Sequence, residues 1–101
     1  MSVIIDLTIF PMDKQGPSLS PYVARIINVI KDSGLNYQLG PMGTAIEGEW
    51  DEVMEVVDAC YKKLEPDCDR IYLAMKADCR KDRTNGMSGK VESVQSKLNS
   101  I

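Results

Sequence analysis

The chain opens on a strict alternation of apolar and polar positions. Val3, Ile5, Leu7 and Ile9 share one face, and Ile4, Asp6, Thr8 and Phe10 share the other, which predicts a strand over 3–10. A loop with Pro11, Gly16 and Pro17 follows. Ser20 then reads as an N-cap, with Pro21 at the first helical position. Val23, Ile26, Ile27 and Ile30 recur at helical spacing until Gly34 closes the helix. Two short extended segments, 35–39 and 44–49, are joined across Gly40-Pro41-Met42-Gly43, a composition suited to a tight hairpin connection. Val53, Val56, Val57, Cys60 and Leu64 predict a second helix over 51–64, stopped by Pro66. Over 70–80 alternation returns: Ile71, Leu73, Met75, Ala77 and Cys79 face one way, and Arg70, Tyr72, Ala74, Lys76, Asp78 and Arg80 the other. A polar loop leads to a last helix from about Ser88, with a narrow stripe of Val91, Val94, Leu98 and Ile101.

The order β-α-β-β-α-β, with a helix appended, predicts a single α+β domain over 1–101. It is a ferredoxin-like sandwich with an antiparallel sheet ordered 4-1-3-2 and the first two helices on one face. The purely apolar faces of the first and fourth strands then belong beneath those helices. Asp6, Thr8, Lys76, Asp78 and Arg80 are left on the helix-free face, together with Ile4, Phe10 and Tyr72. A face that mixes charges with large apolar groups calls for a second subunit, a ligand or both. The fourth strand lies at an edge, and a long apolar edge has to be paired or covered. An oligomer that covers this face and edge is the expected assembly.

Composition narrows the function. The 101 residues are 44% hydrophobic and 27% charged, with 12 basic side chains against 15 acidic ones, a net charge of −3 and no histidine. The missing imidazole removes the usual general base near neutral pH and the commonest metal ligand. A mildly acidic chain also lacks the basic footprint of a nucleic-acid binder. Cys60, Cys68 and Cys79 are odd in number and form no Cys-x-x-Cys pair, which argues against a disulfide framework or a zinc ribbon. The start lacks a basic leader, and no stretch approaches the roughly 20 apolar residues of a membrane span. A cytoplasmic protein with reduced thiols, no membrane partner and no bound metal is expected.

Few residues carry chemistry on their own. The Gly40–Gly43 turn could set amides and a soft Met42 side chain at a pocket mouth, although such a turn is more often only a turn. Asp6, Glu47 and Asp78 can fall on or near one face and could do acid–base work or hold a hard cation. Lys76 and Arg80 beside them favour ordinary ion pairing. Arg80-Lys81-Asp82-Arg83 reads as a solvated loop. Cys60 and Cys79 fall on core faces, Cys68 has no basic activator, and Met54 and Met75 read as packing. Trp50 opens the second helix and reads as interface or helix-start packing.

Several segments together resemble a family of small thiamine-binding proteins. They are Ser20-Pro21-Tyr22-Val23, Ser33-Gly34-Leu35 with Tyr37, Gly40-Pro41-Met42-Gly43-Thr44 followed by Ile46-Glu47-Gly48, the strand Lys76-Ala77-Asp78-Cys79-Arg80 after Arg70, and Lys90-Val91 with Val94. The resemblance runs over nearly the whole chain, and its most specific part is the Pro-Met-Gly-Thr-x-Ile-Glu-Gly block. It implies a ferredoxin-like subunit, assembly into dimers and tetramers, and binding of thiamine or its hydroxymethylpyrimidine fragment without catalysis or a required cofactor. It further implies a pocket served by Ser20, by the Met42-Gly43-Thr44 turn, by Glu47 and by the polar face of the fourth strand, Lys76, Asp78 and Arg80. Within it Glu47 would be the carboxylate meeting the pyrimidine, Thr44 and Ser20 would supply hydroxyls, and Met42 or Tyr37 a wall. Cys79 departs from the apolar or hydroxyl residue expected there. Two other readings stand beside this one: a structural or regulatory oligomeric module with no ligand, and an enzyme using carboxylates with Lys76 or Arg80.

Overall fold

The computed structural model describes residues 1–16, 18–82 and 86–99. Pro17, Arg83 and Ile101 of the patterns above lie outside the described residues. The elements run β1 (Ser2–Pro11), α1 (Ser20–Asp32), β2 (Asn36–Leu39), β3 (Thr44–Glu49), α2 (Trp50–Leu64), a 3-10 turn (Glu65–Asp67), β4 (Ile71–Arg80) and α3 (Gly86–Asn99). The four strands form one antiparallel sheet in the order β2-β3-β1-β4, which is the predicted order read from its other edge.

The predicted alternation decides which face is which. Val3, Ile5, Leu7 and Ile9 of β1 are buried against α1 and α2, with Ile26 and Ile30 from α1 and Val53, Val56, Val57, Cys60 and Leu64 from α2. Directly opposite residues share a face in an antiparallel pair. The register Ile5↔Ile46, Leu7↔Thr44 and Val3↔Gly48 therefore places Thr44, Ile46 and Gly48 on this helix side. Ile4, Asp6, Thr8, Phe10, Glu47, Lys76, Asp78 and Arg80 lie on the opposite, open face.

Two details differ from expectation. Ser20 is the first residue of α1 and Leu19 holds the N-cap position. Ser18 supplies the hydroxyl instead, its Oγ accepting from Ser20 N–H at 3.3 Å. Second, the apolar face of β4 is not beneath the helices. α1 packs over β1 and β2, and α2 over β1 and β3, so β4 overhangs at the edge with Leu73, Met75 and Cys79 exposed. Cys68, in the loop before β4, is buried. Among the described residues no helix is long and apolar enough to cross a membrane.

The open face is partly furnished. Phe10 and Tyr72 stack with ring centroids 5.3 Å apart. At its other end the first turn of α3 seats Gly86 and Met87 on the sheet, while Val91, Val94 and Leu98 farther along remain exposed.

Candidate functional site

β1 is longer than one of its neighbours. It pairs with β4 from Ser2↔Arg80 to Pro11↔Ile71, but with β3 only from Ser2↔Glu49 to Leu7↔Thr44. The β2–β3 hairpin has already turned back by then, closed by Gly40 N–H donating to Gly43 O at 2.8 Å. Beyond Leu7, β1 runs on with no strand beside it on that side among the described residues. α1 passes over the gap, and what remains between strand, helix and turn is a cleft of about 340 Å³. Volumes of this order suit a small organic ligand.

The turn is held in place from the sheet. Thr8 Oγ1 donates to Met42 O at 3.0 Å. Gly43 lies so close that a Cβ there would stand 2.8 Å from Asp6 Oδ1 and 3.1 Å from Leu7 O. A side chain there would have to displace the Asp6 carboxylate and press on the Leu7 carbonyl. The cleft walls are apolar, with Val23 and Ile27 from α1, Leu39 and Met42 from the hairpin, and Phe10 from β1. None of the lining residues has an ionisable side chain. Thr44, at the floor, is 6% exposed, and its hydroxyl has no hydrogen-bond partner among the described residues. An unsatisfied buried hydroxyl costs about 1–3 kcal/mol, so a group that fills the cleft and bonds to it is favoured.

The sequence-predicted site residues do not converge on one pocket. Met42, Gly43 and Thr44 line the cleft. Ser20 is exposed at the start of α1, 3.2 Å from Ser18 Oγ, between Leu19 and Val23 of the wall but outside it. Tyr37 sits opposite Ile46 on the helix side, packed against the core rather than in the cleft. Glu47 is on the other side of the sheet from Thr44, because the two are an odd number of residues apart along one strand. Both its oxygens are engaged: Oε1 accepts from Asn36 Nδ2 at 3.3 Å and Oε2 from Met87 N–H at 3.2 Å. Glu47 thereby supplies the acceptor that the first turn of α3 requires. Lys76, Asp78 and Arg80 share this open face, where Lys76 lies opposite Asp6 and Asp78 pairs with Lys90 of α3.

Perturbed ionisable groups lie elsewhere. Burial pushes the Cys60 thiol up to about 11. The Arg25 guanidinium, bonded to both Asp67 oxygens at 2.9 Å, holds that carboxyl below its ordinary value, and the Asp69 N–H does the same for Asp13. Tyr22 packs its ring 5.0 Å from Arg25. These contacts tie α1 to the turn after α2. Among the described residues no group of three or more carboxylates or thiols is placed to hold a metal ion.

The wall residues Val23, Ile27, Thr8 and Phe10 were not singled out for a ligand in the sequence. A signal was present: an alternating run longer in the first strand than in the third implies an edge the third cannot fill.

The fold is a split α+β sandwich with an uncharged cleft beside β1. The chain belongs to the thiamine-binding protein family, whose model matches residues 5–95. It is 38% identical to a UPF0045 protein of Methanothermobacter thermautotrophicus over 95% of this chain and 99% of the relative. Among solved structures it is similar to a hypothetical protein of Methanocaldococcus jannaschii, at 31% identity and TM-score 0.84, covering 93% of this chain and 96% of that one. It is also similar to a Thermotoga maritima protein proposed to act in thiamine biosynthesis or salvage, at 26% identity and TM-score 0.80, covering 93% and 99%.

Proposed function

We propose that the protein binds the pyrimidine half of thiamine, or free hydroxymethylpyrimidine, in the cleft beside β1, and that it acts as carrier, buffer or sensor without turning its ligand over. The observation that carries this reading is the Thr44 hydroxyl, without a partner among the described residues, at the floor of an apolar, uncharged cleft of about 340 Å³. A neutral aromatic ring suits such walls, whereas a buried cation would be costly without a counter-charge. The thiazolium of thiamine therefore stays at the mouth, with only the pyrimidine inside. The absence of ionisable side chains from the lining favours binding over acid–base chemistry.

Calorimetry with thiamine and hydroxymethylpyrimidine on the parent, Thr44→Val and Glu47→Gln tests the assignment. Thr44→Val keeps the shape and loses the hydroxyl, so affinity falls about 5- to 10-fold. Glu47→Gln, on the opposite face, leaves affinity unchanged. If the parent takes up neither compound, the ligand is wrong.

A second reading, a structural or regulatory module with no ligand, draws support from the exposed apolar side of β4 and the stripe on α3. The two are compatible, because the cleft lies on the β3 side of β1 and the overhang on the other. We infer self-assembly in either case, through β4 in a homodimer and through the open face in a homotetramer.

A further inference from the structure

One edge of the cleft is polar without help from any side chain. In an antiparallel sheet the main-chain groups of successive residues point alternately to the strands on either side. Two hydrogen bonds outside the ladders fix the phase. Met12 N–H donates to Arg70 O at 2.7 Å, so the even-numbered residues of β1 turn their main chain toward β4. From the other side, the Gly40–Gly43 bond means that Thr44 and Ile46 turn theirs away from β2 and toward β1, where Leu7 and Ile5 lie opposite. Both routes assign the odd-numbered residues of β1 to the β3 side.

For Ile5 and Leu7 the partner strand is present. For Ile9 it is not. Continuing the register would set Met42 opposite Ile9, but Met42 belongs to the turn and its carbonyl takes the Thr8 hydroxyl. Pro11, the next odd position, has no N–H. The edge facing the cleft therefore consists of one N–H and one C=O from Ile9 and a C=O from Pro11. Ile9 is only 7% exposed, and no described residue bonds its main chain on that side. Buried main-chain groups without partners are rare, and leaving them so is costly.

We propose that the Ile9 N–H and C=O are the recognition edge for a flat nitrogen heterocycle that carries a hydrogen-bond donor beside an acceptor. This rests on the reading of the cleft as a pyrimidine site and names what selects the ring. In a 4-aminopyrimidine the ring nitrogen next to the amino group accepts from Ile9 N–H, and the amino group donates to Ile9 C=O. The ring faces then lie against the apolar walls. An added peptide strand fits poorly, because β3 blocks the lane at Thr44 and the free stretch to Pro11 is roughly 13 Å at ~3.3 Å per residue. Pro11 also withholds the second donor that a ladder needs.

The test is an NMR titration of the labelled protein with 4-amino-2-methylpyrimidine and with 2-methylpyrimidine. The amino compound moves the Ile9 amide proton downfield, and the ring lacking the amino group binds about tenfold or more weakly. Chemical synthesis with Ile9 replaced by its α-hydroxy acid, which deletes the N–H and keeps the side chain, lowers affinity for the amino compound by a similar factor. If that chain fails to fold, the titration of the parent decides alone. Equal binding of the two rings overturns the proposal, as does an unmoved Ile9 amide while other cleft resonances shift; in both cases the pyrimidine site itself survives. If neither ring disturbs any cleft resonance, the edge and the site fall together.

Discussion

At the scale of single residues, the face of the sheet separates groups that stand together in the sequence. Glu47 and Thr44 stand in one short block, and reading them as partners in one pocket ignored the parity of a strand, which sends them to opposite faces. Glu47 serves α3. Substituting Ala for it strips the acceptor from Met87 N–H and Asn36 Nδ2, so Glu47→Ala loses about 1–3 kcal/mol in urea denaturation and speeds amide exchange in α3. Unchanged exchange there would contradict the capping role. Cys60 makes a different prediction. Its thiol is fully buried and titrates at about 11 against an ordinary 9.0. Between those values the folded protein keeps a proton that the unfolded chain has lost, so stability falls as pH rises from about 9 to 11. The loss approaches 2–3 kcal/mol. Thermal unfolding across that range should show a shallower decline in Cys60→Ala than in the parent.

At the scale of elements, the hairpin turn is the part that shapes the cleft. Gly43→Ala puts a methyl against Asp6 Oδ1 and the Leu7 carbonyl, and the carbonyl, held in β1, resists the shift of a few tenths of an ångström that the methyl demands. Overpacking of this kind costs about 1–3 kcal/mol. The urea midpoint drops accordingly, and ligand affinity drops with it because Met42 and Thr44 are displaced together. The strands and helices themselves were legible, because periods of two and of 3.6 survive in sequence: the alternation over 3–10, the Val23-Ile26-Ile27-Ile30 stripe and the boundaries of β3 all reappear. What sequence could not carry was relative length. The cleft exists because β1 outruns β3 and α1 bridges the difference, a property of pairing between segments rather than of either segment. The same holds for β4, whose apolar side reads as core until the helices are placed and stop short of it.

At the scale of the whole molecule, the shape is more open than that of a compact domain of this size. The radius of gyration is 15.2 Å, against about 13 Å for a compact domain of 100 residues. Two of its elements leave apolar groups bare. Tyr72, Leu73 and Met75 on β4 and Val91, Val94 and Leu98 on α3 are all exposed by more than a third. A ten-residue edge strand with free main-chain groups would template pairing with any extended chain unless its own copy occupies it. In the proposed homodimer, antiparallel pairing of β4 with a second β4 about a two-fold axis is self-complementary and closes, and a register centred on Ala74 sets the helix-side Leu73 of each copy opposite Met75 of the other. Charges introduced there meet like charges. The double substitution Leu73→Lys with Met75→Lys is therefore expected to halve the mass measured by light scattering at micromolar concentration. Far-UV circular dichroism and cleft binding should stay as in the parent, because β1, α1 and the hairpin turn are untouched. A parent that is already monomeric under those conditions would sink the β4 interface and leave the cleft as it stands.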